Sequence, residues 1–558
     1  MINLTTNPFF LDKEAIAWVK STLASMTTAQ KAGQVFCPMG FTDDSHVLSH
    51  RLVDIGVGGM MYRPDSAVKT QQTHRTIQHM APIPLLLAAN TECGGNGLTF
   101  EGTSFGQPMA VSAAQDPEYV YRMGYTACAE GAAMGLNWSF APIVDINMDF
   151  HNPITNVRTF GSDPEQVLCC ASAYLRGAKE NHVAVAIKRF PGDGVDERDQ
   201  HIVTSVNSLD AEQWDKTYGY VYQNLIDQGA QTVMAGHIAL PCYASKEERF
   251  LPASLAKSLL TGLLREKLGF NGLISTDATP MVGFTAAMPR SKAIPTAIAA
   301  GADMILFNKD LDEDYRFLLD GIDSCIVTLE RLDEAVTRIL ATKAALGLHR
   351  KKELVPGVEA LNVVGCERHR RWARETADKA ITLVKDTQNL LPLSPDKTPR
   401  IYLNVIQKDT DPDNPVVRAW KALFEREGFH VTVRDRRVTV TVQDMGDLAA
   451  MSPEKKALMH EMYRSVEEAR KSTDLYVYIC NMENASNNTT LRLNWNVTFG
   501  LGDDAPWFVS EIPALMISTA YPYHLFDAPM VKTYINAYSG NEYYREAVME
   551  KLMGRSPF

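Results

Sequence analysis

Residues 183–201 read Val-Ala-Val-Ala-Ile-Lys-Arg-Phe-Pro-Gly-Asp-Gly-Val-Asp-Glu-Arg-Asp-Gln-His. The first five are apolar and mostly small or β-branched, the composition of a parallel strand buried on both faces. Two cations, Lys188 and Arg189, end the run. A Pro-Gly-Asp-Gly turn follows, and the loop then closes on Asp199-Gln200-His201. A strand that delivers charge at its C-terminal tip and continues into a loop shaped by Gly and Pro is how barrel enzymes build sites. An Asp two residues before a His can accept the ring N–H, fix the tautomer and raise the basicity of the other nitrogen. The plainer reading of the stretch is a surface turn with scattered charges.

Working outward, short apolar runs at 34–38, 58–62, 84–89, 136–143, 183–189, 232–238, 272–276 and 304–307 alternate with amphipathic stretches such as 117–134, 164–181, 211–228 and 255–268. Repeated strand-helix alternation predicts an N-terminal (β/α)8 barrel, with a doubly wound open sheet as the competing arrangement. Asn90, Asp145, Lys188, His237 and Asp277 each stand at or just past the C-terminal end of one of these runs. In a barrel those positions share one rim. The pattern 328–348 is helical and stops at Gly347, and the polar sequence after it reads as a linker. A second alternation, with apolar runs at 401–405, 431–433, 475–480 and 514–518 and helical stretches at 416–427 and 455–471, predicts a three-layer α/β sandwich. The expected organisation is a barrel over 1–348, a linker over 349–374 and a sandwich over 375–558.

At 558 residues, more than one core is expected. A formal charge of −11 argues against nonspecific attraction to nucleic acid or anionic lipid. No apolar window is long enough to span a bilayer, and no basic-then-apolar leader opens the chain. The nine cysteines are scattered, without metal-ligand spacing. A reducing cytoplasm is expected, with no metal or organic cofactor.

Several motifs in the right order resemble glycoside hydrolase family 3, closest to its β-N-acetylhexosaminidase branch. Phe140-Ala141-Pro142-Ile143-Val144-Asp145 is similar to Phe-Ala-Pro-Val-x-Asp. Asn152-Pro153, Arg158-Thr159-Phe160-Gly161 and Asp163-Pro164 resemble the block that follows it, and Gly236-His237-Ile238 the tip of the sixth strand. Ala380-Ile381-Thr382-Leu383 with Leu390-Leu391-Pro392-Leu393 resembles the entry to the second domain.

The resemblance implies a retaining mechanism with an aspartate nucleophile after strand seven, which falls on Asp277 in Gly272-Leu273-Ile274-Ser275-Thr276-Asp277. A helix N-cap is the structural alternative for that residue. The resemblance also implies a His acid/base on the loop after strand five, His201, supported by Asp199. It places Lys188 and Arg158 on sugar hydroxyls. His237 is either a site-lining residue or a core histidine bonded to backbone.

The departures from the family pattern cluster in the substrate shell. Lys-His-Phe-Pro-Gly-His-Gly-Asp appears as Lys188-Arg189-Phe190-Pro191-Gly192-Asp193-Gly194-Val195, and Asp-Gln-Glu-Gly-Gly as Asn90-Thr91-Glu92-Cys93-Gly94-Gly95. Arg189 could bind an anionic group or pair with Asp193; Asn90 could still bond a sugar hydroxyl.

The expected activity is that of a retaining hydrolase for terminal β-linked N-acetylglucosamine or a related β-sugar. A histidine base is neutral after giving up its proton, so phosphate can approach the glycosyl-enzyme, and a β-N-acetylglucosaminide phosphorylase is the first alternative. A β-glucosidase specificity and a non-catalytic sugar-binding module follow. The expected partner is a small carbohydrate, and the expected assembly a monomer or homodimer.

Overall fold

The computed structural model describes residues 2–482, 486, 492–493, 495 and 504–558, so part of the expected sandwich span lies outside the described residues. The chain forms two compact units. The first comprises Met1–Ser112, Asp116–Ala373 and Ala485–Thr489, of which last segment Ser486 alone is described; the second comprises Ala113–Gln115, Arg374–Asn484 and Thr490–Phe558.

In the first unit every strand of the main sheet is parallel to its neighbours. β1 (Phe36–Cys37) and β2 (Met39–Gly40) are two pieces of one extended segment, divided by Pro38, which has no N–H to give the ladder. Next come β3 (Gly59–Tyr62), β4 (Leu86–Ala89), β5 (Trp138–Ser139), β6 (Ala184–Phe190), β8 (Thr232–Ala235), β10 (Leu273–Ala278) and β11 (Met304–Leu306). The order around the sheet is β1-β11-β10-β8-β6-β5-β4-β3-β2. β1 pairs with β11 and β2 with β3, so the two ends of the sheet are consecutive residues and the barrel closes. Closure brings backbones close at Gly58, where a Cβ would stand 2.0 Å from the Gln34 carbonyl oxygen.

All seven residues of β6 are buried, which is why Ala184–Ile187 is apolar without alternation, while the charges of Lys188 and Arg189 at its tip are paired. Trp138, Phe140, Ala184, Ala186, Met234, Leu273 and Met304 pack into one core with the surrounding helices. The indole N–H of Trp138 is satisfied by Thr232 Oγ1 at 2.8 Å. Helices Pro117–Ala133 and Pro164–Glu180 both begin with an Asp cap, Asp116 and Asp163, followed by Pro in the first turn.

Several expectations are refined. The run 136–143 is a strand only over Trp138–Ser139, because Pro142 cannot donate to the ladder. The stretch 211–228 is helical but passes through a π-helical segment, Asp215–Gly219, and most of 255–268 is the π-helical segment Ser258–Lys267. A small parallel pair, β7 (Ser205–Val206) with β9 (Ile238–Ala239), is too short to leave a sequence signal. It fastens the loop after β6 to the end of β8.

The second unit holds a six-stranded sheet. Its strands are β12 (Thr382–Asp386), β13 (Arg400–Ile406), β14 (His430–Val433), β15 (Leu475–Cys480), β16 (Ala514–Ser518) and β17 (Thr533–Asn536), in the order β12-β17-β16-β15-β13-β14. β12 alone is antiparallel to its neighbour. Four strands match the apolar runs; the edge strand β12 and the four-residue β17 do not register as runs. The expected helix over 455–471 is two helices, Pro453–Met462 and Val466–Ser472, because Ser465 starts a new capping box with Glu468.

Candidate active site

The C-terminal tips of β4, β6 and β10 carry the charged groups. Glu92, three residues past β4, receives a two-pronged bond from Arg158, Nε to Oε2 at 3.0 Å and Nη2 to Oε1 at 2.8 Å. Lys188 Nζ donates to the same Oε1 at 2.6 Å and to Asn90 Oδ1 at 3.3 Å. Burial works against the charge of Glu92, but Arg158 and Lys188 outweigh it and hold the carboxyl well below its ordinary range. Lys188 is buried too, which lowers its affinity for a proton against the pull of Glu92. Asn90, Lys188 and Arg158 thus share one face organised by Glu92.

Beside it lies a second cluster. Arg189 Nη1 donates to Asp145 Oδ2 at 2.6 Å and sits 3.5 Å from Asp193 Oδ2, while its Nε is 3.6 Å from Asp277 Oδ2. Its side chain is 3% exposed. Burial opposes its charge, and the carboxylates of Asp145, Asp193 and Asp277 reverse the effect, so Arg189 is held more firmly protonated than usual. Asp145 Oδ1 also accepts the backbone N–H groups of Arg189 and Asp193, at 3.0 and 2.8 Å. Asp145 therefore orders the turn after β6. Asp193 is pushed up to about 7 by burial and by the neighbouring charge of Asp145.

The loop after β6 returns toward β10. Asp199 is fully buried, and its Oδ1 bonds His201 Nδ1 at 2.6 Å and the His201 backbone N–H at 2.9 Å. An acidic partner at Nδ1 leaves Nε2 as the working nitrogen; it lies 3.1 Å from Ser486 Oγ. The His201 carbonyl accepts from Val282 N at 3.0 Å, which ties the loop to the segment after β10. Close approach there requires Gly283, since a Cβ would meet the Gln200 carbonyl oxygen at 2.5 Å.

Asp277 sits at the end of β10 with 15% of its side chain exposed. Burial disfavours its anion, but His237, Arg189 and His201 favour it, and the net effect is a pKa below the ordinary value. Arg189 is the permanently charged member of that trio. Asp277 Oδ1 accepts the N–H of Ala278 at 2.7 Å. It is not a helix cap, because the short helix that follows, Val282–Thr285, begins beyond it.

His237 is wholly buried, with Nδ1 2.8 Å from Ser254 Oγ and Nε2 3.0 Å from the Ala278 carbonyl oxygen. Burial lowers its pKa. It stands as a core histidine with both ring nitrogens engaged, Nε2 on a backbone carbonyl, which is the second of the two readings its sequence position allows. Arg189 likewise pairs with Asp145 more closely than with Asp193. Asp145 is one of the five rim positions visible in the sequence, but its pairing with Arg189 is not, and Glu92 stands out only as part of a motif, because each acid follows a different strand from its partners.

Among the described residues no group of three or more His, Cys, Asp or Glu side chains could hold a metal ion, and no helix is long and apolar enough to cross a membrane. The arrangement sets an ionised carboxylate beside a histidine whose far nitrogen is braced by a buried acid. That pairing can perform nucleophilic displacement with proton transfer.

The family model described as glycosyl hydrolase family 3 N terminal domain matches residues 27–342. A β-N-acetylglucosaminidase/β-glucosidase of Cellulomonas fimi is 39% identical, over 100% of this chain and 97% of that protein. The solved structure of a β-glucoside phosphorylase bound to 2FGlc is 42% identical with a TM-score of 0.91, covering 100% of this chain and 97% of that one. A family 3 β-N-acetylglucosaminidase from Paenibacillus sp. str. FPU-7, at 23% identity and a TM-score of 0.77 over 96% of this chain and 98% of its own, shares the fold.

Proposed function

The chain belongs to glycosyl hydrolase family 3, and we propose from this membership and the site's geometry that it transfers terminal β-linked glucose or N-acetylglucosamine by double displacement. Asp277 is the nucleophile, and His201, oriented by Asp199, is the proton donor and acceptor. In the first step an Asp277 oxygen forms a bond to the anomeric carbon while the bond to the leaving oxygen breaks. The proton on His201 Nε2 passes to that oxygen. Asp199, bonded to Nδ1, stabilises the imidazolium before transfer and holds the tautomer after it. Arg158, Lys188 and Asn90, fixed by Glu92, face the sugar hydroxyls. The observation that carries the reading is the 2.6 Å Asp199–His201 contact on a loop bonded to the segment that follows Asp277.

For the second step the reading supported best is phosphorolysis. A phosphate oxygen displaces Asp277 from the anomeric carbon and releases a sugar 1-phosphate. Two things support it: the 42% full-length identity to a protein named as a β-glucoside phosphorylase, and an acid/base that is uncharged once its proton is gone. The second reading, hydrolysis, is supported by the name of the Cellulomonas fimi relative. The test is turnover of p-nitrophenyl β-glucoside and β-N-acetylglucosaminide with and without phosphate, with product analysis. Phosphate-dependent turnover yielding sugar 1-phosphate is expected; phosphate-independent release of free sugar would establish hydrolysis.

A further inference from the structure

Between the two dyad residues stands Gln200, whose side chain is fully buried. Its Nε2 donates to Asp193 Oδ2 at 3.2 Å, and its Oε1 accepts the backbone N–H of His237 at 2.8 Å. His237 continues the path. A carbonyl can only accept, so the 3.0 Å contact from Nε2 to the Ala278 oxygen places a proton on that nitrogen, leaving Nδ1 to accept from Ser254 in the neutral ring. Ala278 N–H then donates to Asp277 Oδ1 at 2.7 Å. Hydrogen bonds therefore link Asp193, on the turn after β6, to Gln200, Gln200 to the His237 backbone, the His237 ring to Ala278, and Ala278 to Asp277.

The Asp199–His201 bond orients the imidazole; the loop's distance from β10 is set by Val282 N–H on the His201 carbonyl and, one residue earlier, by the two bonds of the Gln200 amide. Residues 191–204 contain no helix or strand, and such a loop is mobile unless tied down. Gln200 supplies a tie at both ends of its amide, to groups seven and 37 residues away.

We propose that Gln200 is a positioning residue that sets the separation of the general acid from the nucleophile before substrate binds. The proposal rests on the reading of His201 as the acid. It predicts a loss confined to reactions in which the leaving group needs a proton. Displacing an acid by about 1 Å costs on the order of 10²-fold, whereas a leaving group that departs as a stable anion does not feel the change.

The test compares kcat/KM for 2,4-dinitrophenyl and 4-methoxyphenyl β-glycosides in the wild type, Gln200→Met and His201→Ala. Methionine keeps the volume and removes both hydrogen bonds. Gln200→Met is expected to lose roughly 10²-fold on the methoxyphenyl substrate and under about threefold on the dinitrophenyl one. Equal losses on both substrates, as general destabilisation would give, or no loss on either, would overturn the proposal. Should the methionine variant not fold, Gln200→Glu keeps the acceptor for His237 N–H and is read on the same pair, with a smaller loss in the same direction. If His201→Ala treats the two substrates alike, the acid assignment itself fails and takes this proposal with it. If His201→Ala discriminates and the Gln200 variants do not, the positioning role alone fails.

Discussion

Replacing Asp193 by Asn changes how stability depends on pH, and the size of the change follows from the buried cluster around Arg189. Asp193 is 2% exposed, shares one guanidinium with Asp145 and Asp277, and is pushed up to about 7 from an ordinary value of 3.8. Below about pH 4 the group is protonated in folded and unfolded chains alike. Between about 4 and 7 the unfolded chain releases the proton while the folded chain holds it, so the contribution to stability is lost progressively as pH rises. Above 7 the loss is constant. At about 1.4 kcal/mol per pH unit the loss amounts to a few kcal/mol, most of it incurred between pH 5 and pH 8.

Asparagine cannot ionise. Whichever way its amide turns, the NH2 meets donors that face a carboxylate oxygen in the wild type, Gln200 Nε2 and Arg189 Nη1 at one position or Asn152 Nδ2 and Gly194 N at the other, a fixed cost that does not vary with pH. The carboxyls held below their ordinary range, such as Glu92, Asp277 and Asp303, are common to both proteins and act at more acid pH. Urea unfolding of wild type and Asp193→Asn at pH 5 and pH 8 isolates the difference. The variant is expected to gain a few kcal/mol relative to wild type between the two pH values. A difference that is flat with pH, or one that moves against the variant, would refute the reading of Asp193 as a buried, proton-holding acid.

Asp277→Asn should lower kcat/KM by roughly 10³-fold or more while leaving the melting temperature within a few degrees of wild type, measured by steady-state assay and calorimetry. Glu92→Gln leaves Lys188 and Arg158 without their shared acid, and a destabilisation of about 3–5 kcal/mol is expected together with a raised KM. Gly283→Ala should cost on the order of 10²-fold in kcat, because its Cβ would press on the Gln200 carbonyl and displace the loop that carries His201; activity equal to wild type would show that the loop yields freely. In all variants with an intact Asp277, the acid limb of kcat/KM assigned to that residue should fall below its ordinary 3.8, since Arg189 keeps the carboxylate ionised.

The barrel was legible because parallel strands buried on both faces are apolar except at their tips, and each of the eight runs overlaps an observed strand. What escaped was short or at an edge. β7 and β9 are two residues each, and β12 is a partly exposed edge strand whose Thr-Leu-Val-Lys-Asp reads as polar. Within the site, Asp199 and His201 were visible as a pair because two residues of loop bring them together, and Lys188 and Arg189 because they end an apolar run. The pairings that hold the two cations were not visible. Glu92 meets Lys188 across 96 residues and Asp145 meets Arg189 across 44, distances that only the closed barrel removes. Gln200 was hidden for a related reason: its side chain turns away from the dyad and makes its bonds to the strand tips behind it.

The covalent step is the centre of the account, and trapping it is the most direct test. A 2-deoxy-2-fluoro-β-glucoside with an activated leaving group slows both displacements but leaves the first fast enough to accumulate a glycosyl-enzyme. Intact-mass spectrometry followed by peptide mapping should find one fluoroglycosyl group, on the peptide that contains Asp277, and adding phosphate should release it. A label on any other residue, or turnover with no label at all, would contradict the assignment of Asp277 as the nucleophile.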